Sequence, residues 1–178
     1  GWVTPQDGTT TVRVYNENTG QAIVQQIATP NGKLPEANSE MVGSVYPGIL
    51  VNVGFEDPAG KTTGKLFPAG AECTDIVVDG TRYPVTLVDA GAPCVYLEAA
   101  ALGLENHSRD EWTNVIDAQL DLLDNIRRQG AVLMGLADTP EAAARAIPKL
   151  GVVGKTDVKG ADLRVQMLSM GKCHPACR

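Results

Sequence analysis

An α+β fold, with an antiparallel, barrel-like sheet and one long helix, is what the amino-acid sequence predicts, and three observations predict it. Short β-branched runs recur between turns rich in Gly, Pro and Asp. One segment near residue 110 opens with a helix-capping signature and continues at helical spacing. Apolar residues make up 43% and charged residues 20%, a composition that supports a buried core. With 178 residues, the chain has room for one domain or slightly more.

The elements follow in order. Residues 9–16 alternate, with Thr10, Val12 and Val14 on one face and Thr11, Arg13 and Tyr15 on the other. Asn18, Thr19 and Gly20 then turn the chain into the run 22–27, which predicts a hairpin. Residues 29–35 concentrate turn formers and read as a linker. The runs 49–55, 63–67, 75–78, 83–88 and 94–97 are strand-like, and Asp57-Pro58-Ala59-Gly60, Pro68-Ala69-Gly70 and Asp79-Gly80 punctuate them. Together they predict an antiparallel sheet or partial barrel. Ser108-Arg109-Asp110-Glu111 is a capping box, so a helix starts there. Trp112, Val115, Ile116, Leu120, Leu123 and Ile126 form its apolar stripe, and Gly130 stands where a C-terminal glycine belongs. A shorter helix is predicted from Pro140 to about Ala146, between Thr139 and Pro148, and strands return at 149–153 and 162–168.

Charge and motifs narrow the functional classes. A formal net charge of -6 disfavours nucleic acid or an anionic membrane as partner. It leaves open a small carboxylate ligand held by local cations such as Arg13, Lys65, Arg164 and Lys172. No run approaches the ~20 apolar residues of a membrane span, and no basic-then-apolar leader opens the chain, so a cytoplasmic protein is expected. Cys73, Cys94, Cys173 and Cys177 are widely spaced, and reduced thiols are expected. There is no dinucleotide fingerprint, P-loop or serine elbow, and no cofactor is implied.

Two stretches carry a family likeness: Thr63-Gly64-Lys65-Leu66-Phe67-Pro68-Ala69-Gly70 and Val88-Asp89-Ala90-Gly91-Ala92-Pro93-Cys94-Val95-Tyr96-Leu97. They resemble the 2-methylaconitate cis-trans isomerases and their relatives, the 4-oxalomesaconate tautomerases and 3-methylitaconate isomerases, built on the diaminopimelate-epimerase fold. The likeness extends from residues 11–20 to residues 168–176. It implies cofactor-independent cis-trans or allylic isomerisation of an unsaturated tricarboxylate by proton transfer. In that family a catalytic lysine in a Ser/Thr-rich segment and a catalytic cysteine in a Gly-Asn-Cys-Gly-Asn-type loop both precede the point matching Gly1. A Thr-Gly-containing helix start follows the point matching Arg178. The resemblance therefore implies a truncated member that is inactive as this chain alone, with residues 1–30 ending one epimerase-like lobe and residues 31–178 forming part of a second. The alternative is a stand-alone, non-catalytic module that binds small anions or dimerises. Sheet faces lacking the family's buried helices would favour a homodimer.

Isomerisation beside a carboxylate needs a base, an acid and donors that stabilise an enolate-like intermediate. The backbone amides of Gly91 and Ala92 are candidate substrate donors, although a simple strand-entry turn accounts for them equally well. In the wider fold the matching turn reads Gly-Asn-Pro. Ala92 replaces that asparagine, removing a hydrogen bond to a charged group typically worth ~1.5–3 kcal/mol. Lys65 is a further candidate, against the reading of an outward-facing strand lysine. The resemblance places Lys172 and His174 near the cleft as carboxylate ligands, against the reading of a frayed terminus. No catalytic residue is assigned. Cys94 lies in an apolar strand, where cysteine behaves as a small hydrophobe. Cys173, His174 and Cys177 fall short of the four ligands that tetrahedral zinc needs, so no metal is expected. His107 reads as a solvated histidine, and Asp75, Asp79 and Asp89 form no evident carboxylate pair.

Overall fold

The computed structural model describes residues 2–17, 20–40 and 44–174, the side chains of residues 109 and 110 excepted. Asn18 and Thr19 of the hairpin turn, and the tail from Pro175 through Cys177, lie outside the described residues. The chain divides into two compact units, Gly1–Pro58 and Ala59–Arg178.

The first unit is a three-stranded sheet. β1 (Gly8–Asn16) and β2 (Gln21–Thr29) form the predicted hairpin, and β3 (Val51–Phe55) adds to β2, all antiparallel. Because side chains alternate with period 2, the register puts Val12, Val14, Ile23, Ile27, Val51, Val53 and Phe55 on one face. Val14, Val51, Val53 and Phe55 are exposed on it. The start of the run 29–35 is bonded to the hairpin and the residues before it. The Thr29 hydroxyl donates to the Gln6 carbonyl at 2.7 Å and shares a 2.7 Å bond with the Thr10 hydroxyl, while the Asn31 amide donates to Asp7. These bonds tie the segment to the hairpin, and β3 pairs with β2 within the unit Gly1–Pro58.

The second unit contains β4 (Thr74–Val78), β5 (Thr81–Asp89), β6 (Pro93–Glu98), β7 (Lys149–Gly154), β8 (Arg164–Ser169) and β9 (Lys172–Cys173). They form one sheet in that order, and among the described residues no ladder joins β4 to β9. The sheet is not wholly antiparallel, because β6 and β7 pair in parallel. The helices α1 (Arg109–Asp117) and α2 (Leu120–Leu133) supply the long crossover that a parallel pair requires.

The expected single helix is thus two. The capping box forms, with the Ser108 amide and hydroxyl both donating to the Glu111 carboxylate at 2.7 Å. Those bonds hold Glu111 below the usual carboxylate range. Helical dihedrals then fail at Gln119 (φ -117°, ψ 18°). Trp112 and Ile116 from α1, and Leu123 and Ile126 from α2, pack with Ile76, Val85, Leu87, Val95, Leu97, Leu150 and Val152 of the sheet in one core.

Gly130 is not a helix stop. A β-carbon placed on it would lie 2.6 Å from Val95 Cγ2, so glycine is what lets α2 lie flat on the sheet. The helix ends instead at Gly135 (φ +70°), where the Gly135 amide bonds the Val132 carbonyl and the Leu136 amide bonds that of Ala131. This is a Schellman arrangement. The helix predicted at 140–146 does not form. Those residues make turns, and the Ala144 carbonyl accepts from the buried Arg127 guanidinium at 2.8 Å.

Candidate functional site

The expected strand at 63–67 is absent, and what replaces it defines the candidate site. Residues 60–66 form a coiled loop whose polar groups converge on Asp89, the last residue of β5. Val85, Leu87 and Asp89 alternate onto the buried face of that strand. Asp89 is therefore fully buried, with 0% of its surface exposed.

A carboxylate in that position must be hydrogen-bonded or costs several kcal/mol, on the order of 2–7 for an uncompensated polar group. Asp89 Oδ2 accepts from the amides of Thr62 and Thr63, both at 2.8 Å, and from the Thr63 hydroxyl at 3.0 Å. The main chain adds two bonds to the same loop, Gly60 N–H to the Asp89 carbonyl at 2.8 Å and Asp89 N–H to the Leu66 carbonyl at 2.9 Å. Asp89 Oδ1 is buried and has no partner among the described residues. The loop is compact enough that a β-carbon on Gly60 would sit 2.6 Å from the Lys65 nitrogen.

The turn that follows carries Gly91 and Ala92, both half-buried. Gly91 has φ +86°, a conformation that favours glycine, and a β-carbon there would meet nothing within 4 Å. Among the described residues, the Gly91 and Ala92 amides donate to no carbonyl outside the strand ladders. Lys65 is exposed on the braced loop. The fold therefore brings Gly91, Ala92 and the segment bearing Lys65 to one corner of the sheet.

Lys172 lies on β9, three strands from β6 in the sheet order, and the register sets it at the end of the sheet where Cys94 and Lys149 lie. Lys172 and His174 are exposed, and the His174 amide donates to the Met167 carbonyl at 2.8 Å.

Cys94 opens the next strand on the face opposite Asp89, paired with Val88 and Lys149. Burial pushes its thiol up, and the hydrogen bond with Tyr96 and the nearby Lys149 offset this only in part. The thiol therefore stays protonated near neutral pH. Burial also raises the Tyr96 hydroxyl. Among the described residues no group of three or more His, Cys, Asp or Glu side chains is placed to hold a metal ion. Cys177, a member of the partial zinc set, lies outside them. Among the described residues no helix is long and apolar enough to cross a membrane.

Asp89 is the candidate residue that sequence reasoning passed over. Its signal was the alternation Val85–Leu87–Asp89, which places a carboxylate on a core face, where an aspartate has to be explained.

Comparison with known proteins bears on the whole chain. The family described as PrpF protein matches residues 1–178. A 2-methyl-aconitate isomerase of Shewanella oneidensis is 32% identical over 190 residues, covering 97% of this chain and 48% of the relative. A (4E)-oxalomesaconate Delta-isomerase of Novosphingobium sp. is 33% identical over 166 residues, covering 90% of this chain and 43% of the relative. The crystal structure of a methylitaconate-delta-isomerase superposes with a TM-score of 0.84 at 23% identity, over 97% of this chain and 49% of that one, and it shares the fold. The chain spans about half the length of the curated relatives it matches.

Proposed function

This chain belongs to the PrpF protein family, and from that premise we propose that it supplies a carboxylate-binding corner to an isomerase of unsaturated tricarboxylates. The reaction is a cis-trans or allylic isomerisation by proton transfer, without a cofactor. The observation that carries this reading is the Asp89-braced corner, where an open glycine turn and a lysine-bearing loop meet. Amides of Gly91 and Ala92 bind a substrate carboxylate, and Lys65 adds a positive charge beside them. The thiols of Cys73 and Cys94 suit the reducing cytoplasm in which we place the protein.

The chain alone binds without turnover. The Asp89 carboxylate is engaged with Thr62 and Thr63, and burial keeps Cys94 protonated, so neither serves as the base. The test is proton NMR of trans-aconitate or 2-methylaconitate with the chain in heavy water. Line broadening without deuterium uptake is expected. Uptake proportional to protein concentration would mean that a base is present, and sharp lines throughout would remove the binding role.

A second reading, a non-catalytic dimerising module, is favoured by the exposed Val14, Val51, Val53 and Phe55 on one face of the first sheet. Sharp ligand lines together with a dimer in sedimentation would support it.

A further inference from the structure

We propose that Asp89 is a positioning residue, whose buried carboxylate holds the 60–66 loop against the Gly91–Ala92 turn so that Lys65 and the turn amides act as one unit on a ligand carboxylate. The ligand half of this statement rests on the function proposed above, and the brace itself does not.

Three features carry the inference. First, beside internal bonds such as Gly64 N–H to the Gly60 carbonyl at 2.7 Å and the Thr63 hydroxyl to the Lys65 carbonyl at 3.1 Å, the loop is held to the sheet chiefly through Asp89. It belongs to no strand, and Lys61, Thr62, Gly64, Lys65 and Leu66 are all exposed, so apolar burial does not fix its shape. Three side-chain and two main-chain hydrogen bonds to one residue do. Second, these bonds join segments 26 and 27 residues apart in sequence, which links the position of Lys65 to the turn that begins one residue after Asp89. The bridge between Ala59 and Ala90 closes the same corner from its other side. Third, the arrangement is not optimised for stability. Asp89 Oδ1 is buried without a partner among the described residues, whereas an apolar residue continuing the Val85–Leu87 pattern would carry no such cost. A native chain that retains a buried, half-satisfied carboxylate retains it for what it orders.

Two variants of the full chain test this. Asp89→Asn keeps an acceptor oxygen in an almost unchanged shape and loses the charge. Thr63→Val removes the hydroxyl that bonds both Asp89 and the Lys65 carbonyl and leaves the core untouched. Amide hydrogen exchange at Thr62 and Thr63 reads the brace, trans-aconitate affinity reads the positioning, and the denaturation midpoint reads general stability. In both variants the two loop amides are expected to exchange faster while the β5 and β6 amides do not. Affinity should fall about tenfold in Asp89→Asn, the scale of one weakened charge-assisted hydrogen bond, and less in Thr63→Val. The midpoint of Thr63→Val should stay in place. Unchanged loop exchange in Asp89→Asn would overturn the brace. Faster exchange with unchanged affinity would overturn the positioning role. If the unsubstituted chain binds no trans-aconitate, the proposed function fails and the ligand half of this inference fails with it, while exchange at Thr62 and Thr63 still decides the brace.

Discussion

Replacing Trp112 by alanine is expected to cost the second unit about 3–5 kcal/mol, the range for truncating a buried aromatic residue. Trp112 is 3% exposed and sits where α1 meets the sheet. Its indole N–H donates to the Leu104 carbonyl at 3.1 Å, and the Arg164 guanidinium lies 5.3 Å from its ring centroid. A β-carbon on Gly154 would come within 2.9 Å of the ring, so β7 also packs directly against it. Truncation would leave a cavity, leave the Leu104 carbonyl with the His107 amide as its donor and take from Arg164 its aromatic partner. That cation keeps its bonds to Asp157 and to the His107 carbonyl. Trp112→Phe should lose less, since most of the apolar area remains and one hydrogen bond goes, about 1 kcal/mol. Urea denaturation followed by far-ultraviolet circular dichroism compares the two. A Trp112→Ala midpoint equal to that of the parent would mean that the ring is not packed as described.

The second large effect is expected at Asp124. The Arg127 side chain is only 7% exposed, and its charge is met by Asp124 Oδ1 at 2.8 Å. Asp124 Oδ2 meanwhile takes Arg128 at 2.7 Å, an outer pair with its arginine 39% exposed. Removing the shared carboxylate leaves a buried guanidinium with, among the described residues, the Ala144 carbonyl alone, and breaking a buried pair from one side typically costs about 3–5 kcal/mol. Arg128→Ala breaks only the outer pair and should change stability by no more than about 1 kcal/mol. The double variant Asp124→Ala/Arg127→Leu should recover most of the loss, because no unpaired buried charge remains. The same denaturation measurement checks all three variants. A double variant as unstable as Asp124→Ala would locate the cost elsewhere.

Where neighbours in sequence decide the structure, the sequence was readable. Period-2 alternation and turn glycines located the strands from 8–16 to 164–169, and the capping box marked the start of α1. What it hid depends on partners far away in the chain. Thr63, Leu66 and Phe67 have strand wording, yet Asp89 captures the Thr62 and Thr63 amides and makes a loop. Residues 140–146 have the start and stop signals of a helix, but their Ala144 carbonyl goes to Arg127. The parallel pairing of β6 with β7 followed from the two intervening helices, not from either strand's own residues. Gly130 looked like a helix end because nothing local shows that Val95 lies against it. The break at Gln119 carries neither Gly nor Pro, so helical spacing ran through it unmarked.

The candidate site was legible in part for the same reason. Gly91, Ala92 and Lys65 stood out by their wording, and the fold gathers their segments at one corner. Lys172 and His174 were associated with them through resemblance alone, and Lys172 lies on β9, three strands from β6 in the sheet order. Asp89 resembled an ordinary turn aspartate until its face of the strand was known.

The most direct test is an amide-resolved NMR titration of the isotopically labelled chain with trans-aconitate, tracking every backbone signal. The largest shifts are expected at Gly91 and Ala92, with smaller ones through residues 62–66, and all should saturate with one dissociation constant. Shifts absent from the Gly91–Ala92 turn, or confined to residues 172–174, would contradict the carboxylate-binding corner.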